Sequence, residues 1–200
     1  MTMKKFLLMS IFIYIVMSVS PAFSETKINV YRYQCHDCGN TFFSFKGDAL
    51  DSRELLDTSN QIKRVHQLAN RDRLLDSCRG RQAHAFVRRG ENSVSLGFIA
   101  SNLERFAVVK DSGSISIGFK TWECMLCGKT FYSIGRQNLN IKHWYDQPNR
   151  IYSLKGRRGI PKCEARGYYG HVFKEKSEGS ISSYELARAS VLERIYWVQD

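Results

Sequence analysis

The sequence predicts an α+β fold built from two tandem copies of one unit, each a small antiparallel sheet followed by a C-terminal helix. Three observations predict it. The stretch 35–44 recurs 89 positions later as 124–133, in the form Cys-x-x-Cys-Gly-x-Thr-Phe-aromatic-Ser. The stretch 100–105 recurs at the same offset as 189–194. Residues that alternate between apolar and polar precede each cysteine motif, as is typical of a half-buried strand.

The shared offset indicates an internal duplication, with one copy at 26–111 and the other at 115–200. Both ends of the two copies keep the 89-residue offset, whereas positions in the middle are displaced by a few residues. We therefore expect the interior loops to differ in length. The linker at 111–113 is short, so the two units are expected to touch.

Each unit is expected to begin with a β-hairpin that carries the cysteine pair at its tip. Residues 28–33 alternate in polarity, 41–45 form the returning strand, and the second copy repeats both features. Gly39, and Gly128 in the second copy, suit a turn that needs positive φ.

The middle of the unit is predicted to differ between the copies. Residues 52–75 place apolar side chains at helical spacing, among them Val65 and Ala69, which predicts a helix. The corresponding stretch 137–160 contains Pro148 and two glycines, so it is predicted to be strand and loop.

A helix is predicted at the end of each unit. Ser182 and Glu185 form a capping box, and apolar residues continue at helical spacing to Val198. In the first unit the helix is expected to begin at Ser93 and to keep its apolar face as far as Phe106. We expect the two helices to pack at the interface between the units.

Residues 1–24 have the three-part pattern of a secretory signal peptide. Lys4 and Lys5 give a basic start, and small residues stand three and one positions before a possible cleavage after Ser24. The apolar run at 6–19 is shorter than the roughly 20 residues that span a bilayer. We therefore expect an exported protein, periplasmic or secreted, with an uncleaved N-terminal membrane anchor as the alternative.

The chain is basic, with a net charge of +11 that becomes +9 when residues 1–24 are removed. Such an excess suits an anionic partner such as a lipid surface or an acidic protein, and export makes nucleic acid a less expected one. The alternative is a soluble surface that happens to be basic. Arginines gather around Cys78 in the sequence: Arg71, Arg73, Arg79, Arg81, Arg88 and Arg89.

The six cysteines and two of the histidines predict two metal sites. A Cys-x-x-Cys turn places two thiolates on one knuckle, and a later cysteine and histidine complete a tetrahedral set of the kind that zinc prefers. The predicted ligands are Cys35, Cys38, Cys78 and His84 in the first unit, and Cys124, Cys127, Cys163 and His171 in the second. Four protein ligands leave no open position, so we expect two structural zinc ions per chain and no catalytic metal.

The motifs Tyr-Gln-Cys-His-Asp-Cys-Gly and Trp-Glu-Cys-Met-Leu-Cys-Gly, with the later cysteine and histidine, resemble those of zinc-ribbon and zinc-knuckle modules. The resemblance covers the ligand regions and their strands, not the terminal helices. It implies a zinc-ribbon-like, metal-stapled hairpin that contacts protein or nucleic acid. The departure is the second ligand pair, which is separated by five and seven residues rather than by two to four.

Oxidation is the competing interpretation, because exported thiols tend to form disulfides. One plausible set pairs Cys35 with Cys38, Cys124 with Cys127, and Cys78 with Cys163. The recurring histidine favours zinc, since a disulfide framework gives it no purpose. A redox-active dithiol is a further alternative.

The function that follows is a non-enzymatic binding or structural module. The sequence holds no Gly-rich phosphate loop, no serine-nucleophile motif and no paired carboxylates at helical spacing to a histidine. The alternatives are a thiol–disulfide oxidoreductase or redox sensor that uses both Cys-x-x-Cys pairs, a disulfide-stapled secreted protein, and zinc buffering. His36, His66 and His143 have no counterpart in the other copy and are expected to be solvated or packed.

Overall fold

The computed structural model describes residues 26–111, 116–165 and 170–199. The predicted signal peptide at 1–24 lies outside the described residues. The described chain is mostly β, with a few short helices. The strands are β1 (Lys27–Cys35), β2 (Thr41–Phe45), β3 (Val65–Gln67), β4 (Asn70–Leu74), β5 (Phe86–Ser95), β6 (Ala107–Val109), β7 (Ser116–Cys124), β8 (Thr130–Ile134), β9 (Ile151–Ser153), β10 (Phe173–Ser182) and β11 (Ile195–Val198). The α-helices are α1 (Arg53–Leu56), α2 (Thr58–Arg64), α3 (Leu96–Ser101), α4 (Gln147–Arg150), α5 (Ser183–Leu186) and α6 (Ala189–Leu192).

The strands form three sheets. The first half holds two three-stranded antiparallel sheets, in the orders β2-β1-β5 and β4-β3-β6. The second half holds one five-stranded sheet in the order β10-β7-β8-β11-β9, which is mixed because β8 and β11 run parallel. The predicted small antiparallel sheets are therefore present in the first half, whereas the sheet of the second half is larger and mixed.

The two halves share a pattern of pairing. Strands β1 and β7 both have nine residues and end on the first cysteine of their motif. In the second half Tyr132 pairs with Ile195 in the parallel direction, and in the first half a single parallel bridge joins Phe43 to Phe106, each 89 positions earlier. The duplication stays a prediction, and these matching pairings support it.

The cysteine turns follow the predicted hairpins. Gly39 and Gly128 have φ of 73° and 69°, in the left-handed region that glycine adopts without steric cost, as the sequence predicts. The turn brings the chain straight back into β2 and β8. Each cysteine pair therefore lies in the turn between two paired strands of a sheet.

The prediction of a helix over 52–75 is wrong in its second half. Helix α2 ends at Arg64, and Val65 begins strand β3, where it pairs with Val109 of β6. The β-branched side chain of Val65 suits a buried strand, and pairing with β6 outweighs the helical spacing of the apolar residues. In the second copy the predicted strand and loop contain α4 and strand β9.

The terminal helices are much shorter than predicted. In the first half Ser95, not Ser93, caps α3, by accepting a hydrogen bond from the backbone N–H of Phe98. In the second half Ser182 caps α5 as predicted, but an extended residue at Arg188 interrupts the helix. The predicted apolar face then continues as strands β6 and β11, because both tails are rich in β-branched and aromatic residues that pair with neighbouring strands.

The core lies between the halves, and each half adds a smaller core around its cysteines. The shared core takes side chains from both halves, including Ile99 and Phe106 from the first and Leu186 and Leu192 from the second, all fully buried. Short helices from both halves contribute side chains to it, among them Ile99 of α3 and Leu186 of α5. The two smaller cores hold the cysteines and their neighbouring aromatic rings.

Polar contacts also join the halves. The Ser183 hydroxyl donates to the Asp48 carboxylate at 2.6 Å, and both side chains are fully buried. Arg71 forms an ion pair of 2.8 Å with Glu185 and lies over the Tyr184 ring. Buried directional contacts of this kind fix the orientation of one half relative to the other.

We predict that Leu186→Ala lowers the free energy of unfolding of the zinc-loaded protein by about 2–5 kcal/mol, because it opens a cavity in the shared core. Urea unfolding followed by circular dichroism measures the change. Leu56→Ala is the matched control, since Leu56 is also helical but 59% exposed, and it should change stability by no more than about 0.5 kcal/mol. Equal losses in the two variants would contradict a shared core at Leu186.

Candidate metal centres

The structure gathers the eight predicted ligands into two clusters of four. Each cluster offers three cysteine sulfurs and one histidine nitrogen, and these atoms lie within 4.8 Å of one another. The clusters are Cys35, Cys38, Cys78 and His84 in the first half, and Cys124, Cys127, Cys163 and His171 in the second. In both clusters the second cysteine of the pair is partly exposed and the other three side chains are buried.

The two Cys-x-x-Cys turns, here called the knuckles, have matching backbone hydrogen bonds. The N–H of Gly39 donates to the carbonyl of Cys35 at 2.9 Å, and the N–H of Gly128 donates to that of Cys124 at 2.8 Å. The N–H of each first cysteine donates back across the turn to the residue just before the returning strand, at 2.9 Å in both copies. The turn thereby holds the two cysteines of a pair on one side of the hairpin.

The separations within each cluster fit a tetrahedral metal ion. The sulfurs of Cys35 and Cys78 are 3.6 Å apart, and those of Cys124 and Cys163 are 3.8 Å apart. A tetrahedral ion with metal–sulfur bonds of about 2.3 Å sets its sulfurs roughly 3.8 Å apart. A set of three thiols and one imidazole is typical of structural zinc, so the residues present fit that ion.

Each histidine is oriented by a backbone carbonyl. Nε2 of His84 lies 2.6 Å from the carbonyl oxygen of Asp76, and Nε2 of His171 lies 2.8 Å from that of Pro161. The Nε2–H group therefore donates, and Nδ1 is the nitrogen without a proton. That Nδ1 faces the sulfur of the second cysteine, at 3.5 Å in the first cluster and 3.7 Å in the second. Such a contact fixes both the tautomer and the direction of a metal-binding histidine.

A buried glutamine clamps the backbone of each histidine. The amide nitrogen of Gln61 donates to the carbonyl of His84 at 2.8 Å, and its amide oxygen accepts from the His84 N–H. Gln147 makes the same two bonds to His171, at 2.8 and 2.6 Å. Sequence reasoning missed both glutamines. The available signal was weak: a glutamine lies 23 residues before one histidine and 24 before the other.

Aromatic rings enclose the histidines from the side. Phe42 and Phe131 contact their histidine rings with identical geometry, 4.6 Å between centroids and 59° between planes. Both phenylalanines are buried, so they belong to the smaller cores around the clusters. The clusters are thus shielded from water on their inner side.

Within the metal-free clusters, the first cysteine of each pair is a stabilised thiolate. Burial raises the pKa of Cys35, but hydrogen bonds from the backbone of Cys38 and Asp37 outweigh it and lower the pKa to about 6. The pKa of Cys124 is lowered to about 6 in the same way. One negative charge is therefore already in place at neutral pH.

A second thiol in each cluster keeps its proton. Burial, followed by the neighbouring cysteines, raises the pKa of Cys78 to about 12. Burial also raises the pKa of Cys127, to about 11, with its cysteine neighbours as further causes. Two thiolates less than 4 Å apart repel each other, so a cation is needed before both can lose their protons.

The disulfide alternative does not describe this structure. All six cysteines are free thiols, and the sulfur pairs at 3.6 and 3.8 Å are far beyond the bond length of about 2.05 Å. The alternative set would have paired Cys78 with Cys163, but these residues lie in separate clusters. The structure instead brings each of them to its own histidine.

Most of the arginines that gather around Cys78 in the sequence form ion pairs. Ion pairs hold four of the arginines around the first cluster: Arg71 with Glu185, Arg73 with Asp76, Arg81 with Asp37, and Arg88 with Glu91. No carboxylate of the described residues lies within ion-pair distance of Arg79 or Arg89, and both are exposed. His36 and His143 are exposed as predicted, and His66 is packed against Tyr184 across the interface.

Comparison with protein-family models, with curated proteins and with solved structures finds no match to this chain. The two clusters and their surroundings are therefore the basis for a functional inference. Among the described residues, no helix combines the length and the apolar character that crossing a bilayer requires.

We predict that Gln61→Ala weakens zinc binding at the first cluster by about 10–100-fold, because the histidine loses the partner that positions its backbone. Gln147→Ala should do the same at the second cluster. Competition with a chromogenic chelator measures both affinities. Gln82→Ala is the control, since Gln82 is exposed and close to His84 in sequence, and it should leave the affinity unchanged. Equal effects of Gln61→Ala and Gln82→Ala would contradict a positioning role.

We predict that zinc affinity falls at least tenfold for each unit that the pH is lowered from 8 to 6. Zinc binds thiolates, and the raised pKa values of Cys78 and Cys127 mean that each site releases at least one proton on binding at neutral pH. Below about pH 6 the fall should steepen, as Cys35 and Cys124 also take up protons. Chelator competition at each pH, corrected for protonation of the chelator, gives the slope. An affinity that does not change with pH would contradict protonated thiols in the free site.

Proposed function

We propose that the protein is an exported, non-enzymatic binding module in which two structural zinc ions hold the two knuckles in place. The observation that carries the proposal is the pair of buried clusters, each with four protein ligands. Cys35, Cys38, Cys78 and His84 would hold one ion, and Cys124, Cys127, Cys163 and His171 the other. When bound, zinc supplies a positive charge that joins four side chains from distant parts of the chain.

The surroundings of the clusters support a structural role. A catalytic zinc site keeps a position open for water or substrate, whereas each cluster here offers four ligands that are mostly buried. The glutamine clamp and the aromatic rings hold the histidine rigidly and cover it on its inner side. Rigidity of this kind stabilises a small unit with a limited core.

The proposed partner is anionic. The chain without residues 1–24 carries a net charge of +9, and Arg79 and Arg89 are exposed with no carboxylate partner among the described residues. Guanidinium groups that are free of internal ion pairs are available to phosphate or carboxylate groups of another molecule. An anionic surface or an acidic protein fits an exported protein better than nucleic acid does.

The second candidate is a thiol–disulfide oxidoreductase. The lowered pKa of Cys35 and Cys124 favours it, because the thiolate is the attacking species in disulfide exchange. Burial opposes it, since Cys35 has 0% and Cys124 1% of its surface exposed. An attacking sulfur must reach the disulfide of another protein, and these two do not reach the surface.

We predict that Cys78→Ser, made in the protein purified from its export compartment, lowers the zinc content from about two to about one ion per chain and destabilises the first half. Elemental analysis and titration of thiols before and after denaturation in chelator measure both effects. Ser77→Ala, at the exposed neighbouring position, should keep two ions. The oxidoreductase candidate predicts instead that Cys78→Ser keeps disulfide-exchange activity while Cys35→Ser abolishes it.

A further inference from the structure

The two knuckles have the same backbone but different tips. The backbone N–H of His36 donates to the carbonyl of Ala85, and that of Met125 donates to the carbonyl of Val172, both at 2.8 Å. Both halves have the same types of metal ligand, the same glutamine clamp and the same ring packed against the histidine. The metal site therefore does not determine which residue follows the first cysteine. His36 has a polar side chain that is 77% exposed, whereas Met125 is an apolar residue that is 66% exposed.

The two knuckles also differ at the residue that follows His36 and Met125. On the first knuckle Asp37 forms an ion pair of 2.7 Å with Arg81. On the second knuckle the same position is Leu126, which is 39% exposed. The first tip is therefore polar and charged, and the second tip is apolar and in contact with water.

Neighbouring residues extend the apolar surface of the second tip. Val172, bonded through its backbone to Met125, is 36% exposed. Two residues before it, Gly170 lies so close to Trp144 that a Cβ atom there would collide with the Trp144 backbone. The Trp144 ring stacks on Tyr145 at 3.8 Å between centroids, and Tyr145 is 65% exposed.

We define the apolar tip by four residues: Met125, Leu126, Tyr145 and Val172. They are four of the seven large hydrophobic residues that are exposed in the described part of the chain. Exposed apolar residues scattered singly need no explanation, but a group at one end of a rigid unit indicates an interaction site.

Three lysines lie close to residues of the apolar tip along the chain, together with the exposed acidic residues Asp146 and Glu164. Lys129 follows the knuckle directly and pairs with Glu164, while Lys142 and Lys162 are exposed on the stretches that lead to Trp144 and to His171. An apolar tip with an aromatic pair and flanking lysines is the composition found at the boundary between lipid headgroups and acyl chains. The net charge of +9 adds attraction to an anionic surface.

We propose that the apolar tip inserts into the surface of an anionic lipid bilayer. This inference rests on the proposed function, because the zinc site holds the knuckle that presents Met125 and Leu126. A stable protein–protein interface takes roughly 20–30 residues from each partner, far more than the four that form the tip. Peripheral membrane binding needs only a few inserted side chains assisted by basic residues, which the tip supplies.

Vesicle flotation tests the proposal with the zinc-loaded chain from residue 25 onward, which contains every described residue. The vesicles are made of phosphatidylcholine alone or of a mixture with phosphatidylglycerol. We expect the protein to float with the mixed vesicles and to bind them at least about tenfold more tightly than phosphatidylcholine vesicles. The Trp144 fluorescence should shift to the blue on binding, whereas Trp122 and Trp197 are already buried.

Met125→Asp and His36→Asp form a matched pair, because both lower the net charge by one unit at pH 7 and occupy equivalent positions on the two knuckles. We expect Met125→Asp to weaken binding to mixed vesicles about tenfold or more, and His36→Asp to change it by less than about twofold. Equal losses would overturn insertion of the tip, since they would show that charge alone drives binding. A protein that floats with neither type of vesicle would overturn the proposal as well.

Two further measurements complete the test. Zinc content separates the inference from the proposed function: a variant that keeps about two ions per chain has a folded knuckle, so its loss of binding is due to the tip. Sedimentation equilibrium without vesicles examines a second copy as the occupant. A dimer that Met125→Asp abolishes would overturn the lipid proposal, and a monomer in both forms supports it.

Discussion

Mutual repulsion of buried thiolates is the constraint on which each half of this structure depends. Three sulfurs and an imidazole lie within 4.8 Å of one another in each cluster, and most of these side chains are buried. Without a cation, one thiol is a thiolate and another keeps its proton, because burial and neighbouring charge oppose a second ionisation. A bound zinc ion would remove this conflict, and its binding energy would then be coupled to folding of the chain that carries the ligands.

The contacts that hold the histidine of each cluster follow from that constraint. A histidine binds metal with one nitrogen only when the other is held, and the carbonyls of Asp76 and Pro161 hold it here. The ring stays in place only if its backbone is fixed, which Gln61 and Gln147 accomplish with paired amide bonds. Each buried glutamine thereby has a partner for both its amide nitrogen and its amide oxygen, which lowers the cost of burying it.

The sequence was sufficient to identify the eight cluster residues, because their chemistry is encoded in local spacing that occurs twice. It was not sufficient for Gln61 and Gln147, since nothing local distinguishes a glutamine that will face a histidine backbone more than twenty residues away. The prediction of long terminal helices was wrong for a different reason. Ile195 and Val198 have helical spacing and also belong to a tail rich in residues that favour strands, and the available partner strands β8 and β9 decided the outcome.

The two halves are not interchangeable, and one pair of corresponding positions shows why. Asp48 and Gln137 lie 89 residues apart, and the backbone carbonyl of each accepts a bond from a serine hydroxyl four residues earlier, at 2.6 and 2.9 Å. Their side chains differ: Asp48 accepts from Ser183 in the second half, whereas Gln137 donates to Thr26 in the first.

Each of these positions thus reaches across to the opposite half, with a different chemical group and a different partner. The shared core requires the halves to meet, and the polar contacts require them to meet in one orientation. Because the shared core takes side chains from both halves, a loss of structure in either half removes support from the same set of buried side chains. Loss of one metal cluster is therefore expected to weaken the shared core as well as its own half, while the four ligands of the other cluster stay together.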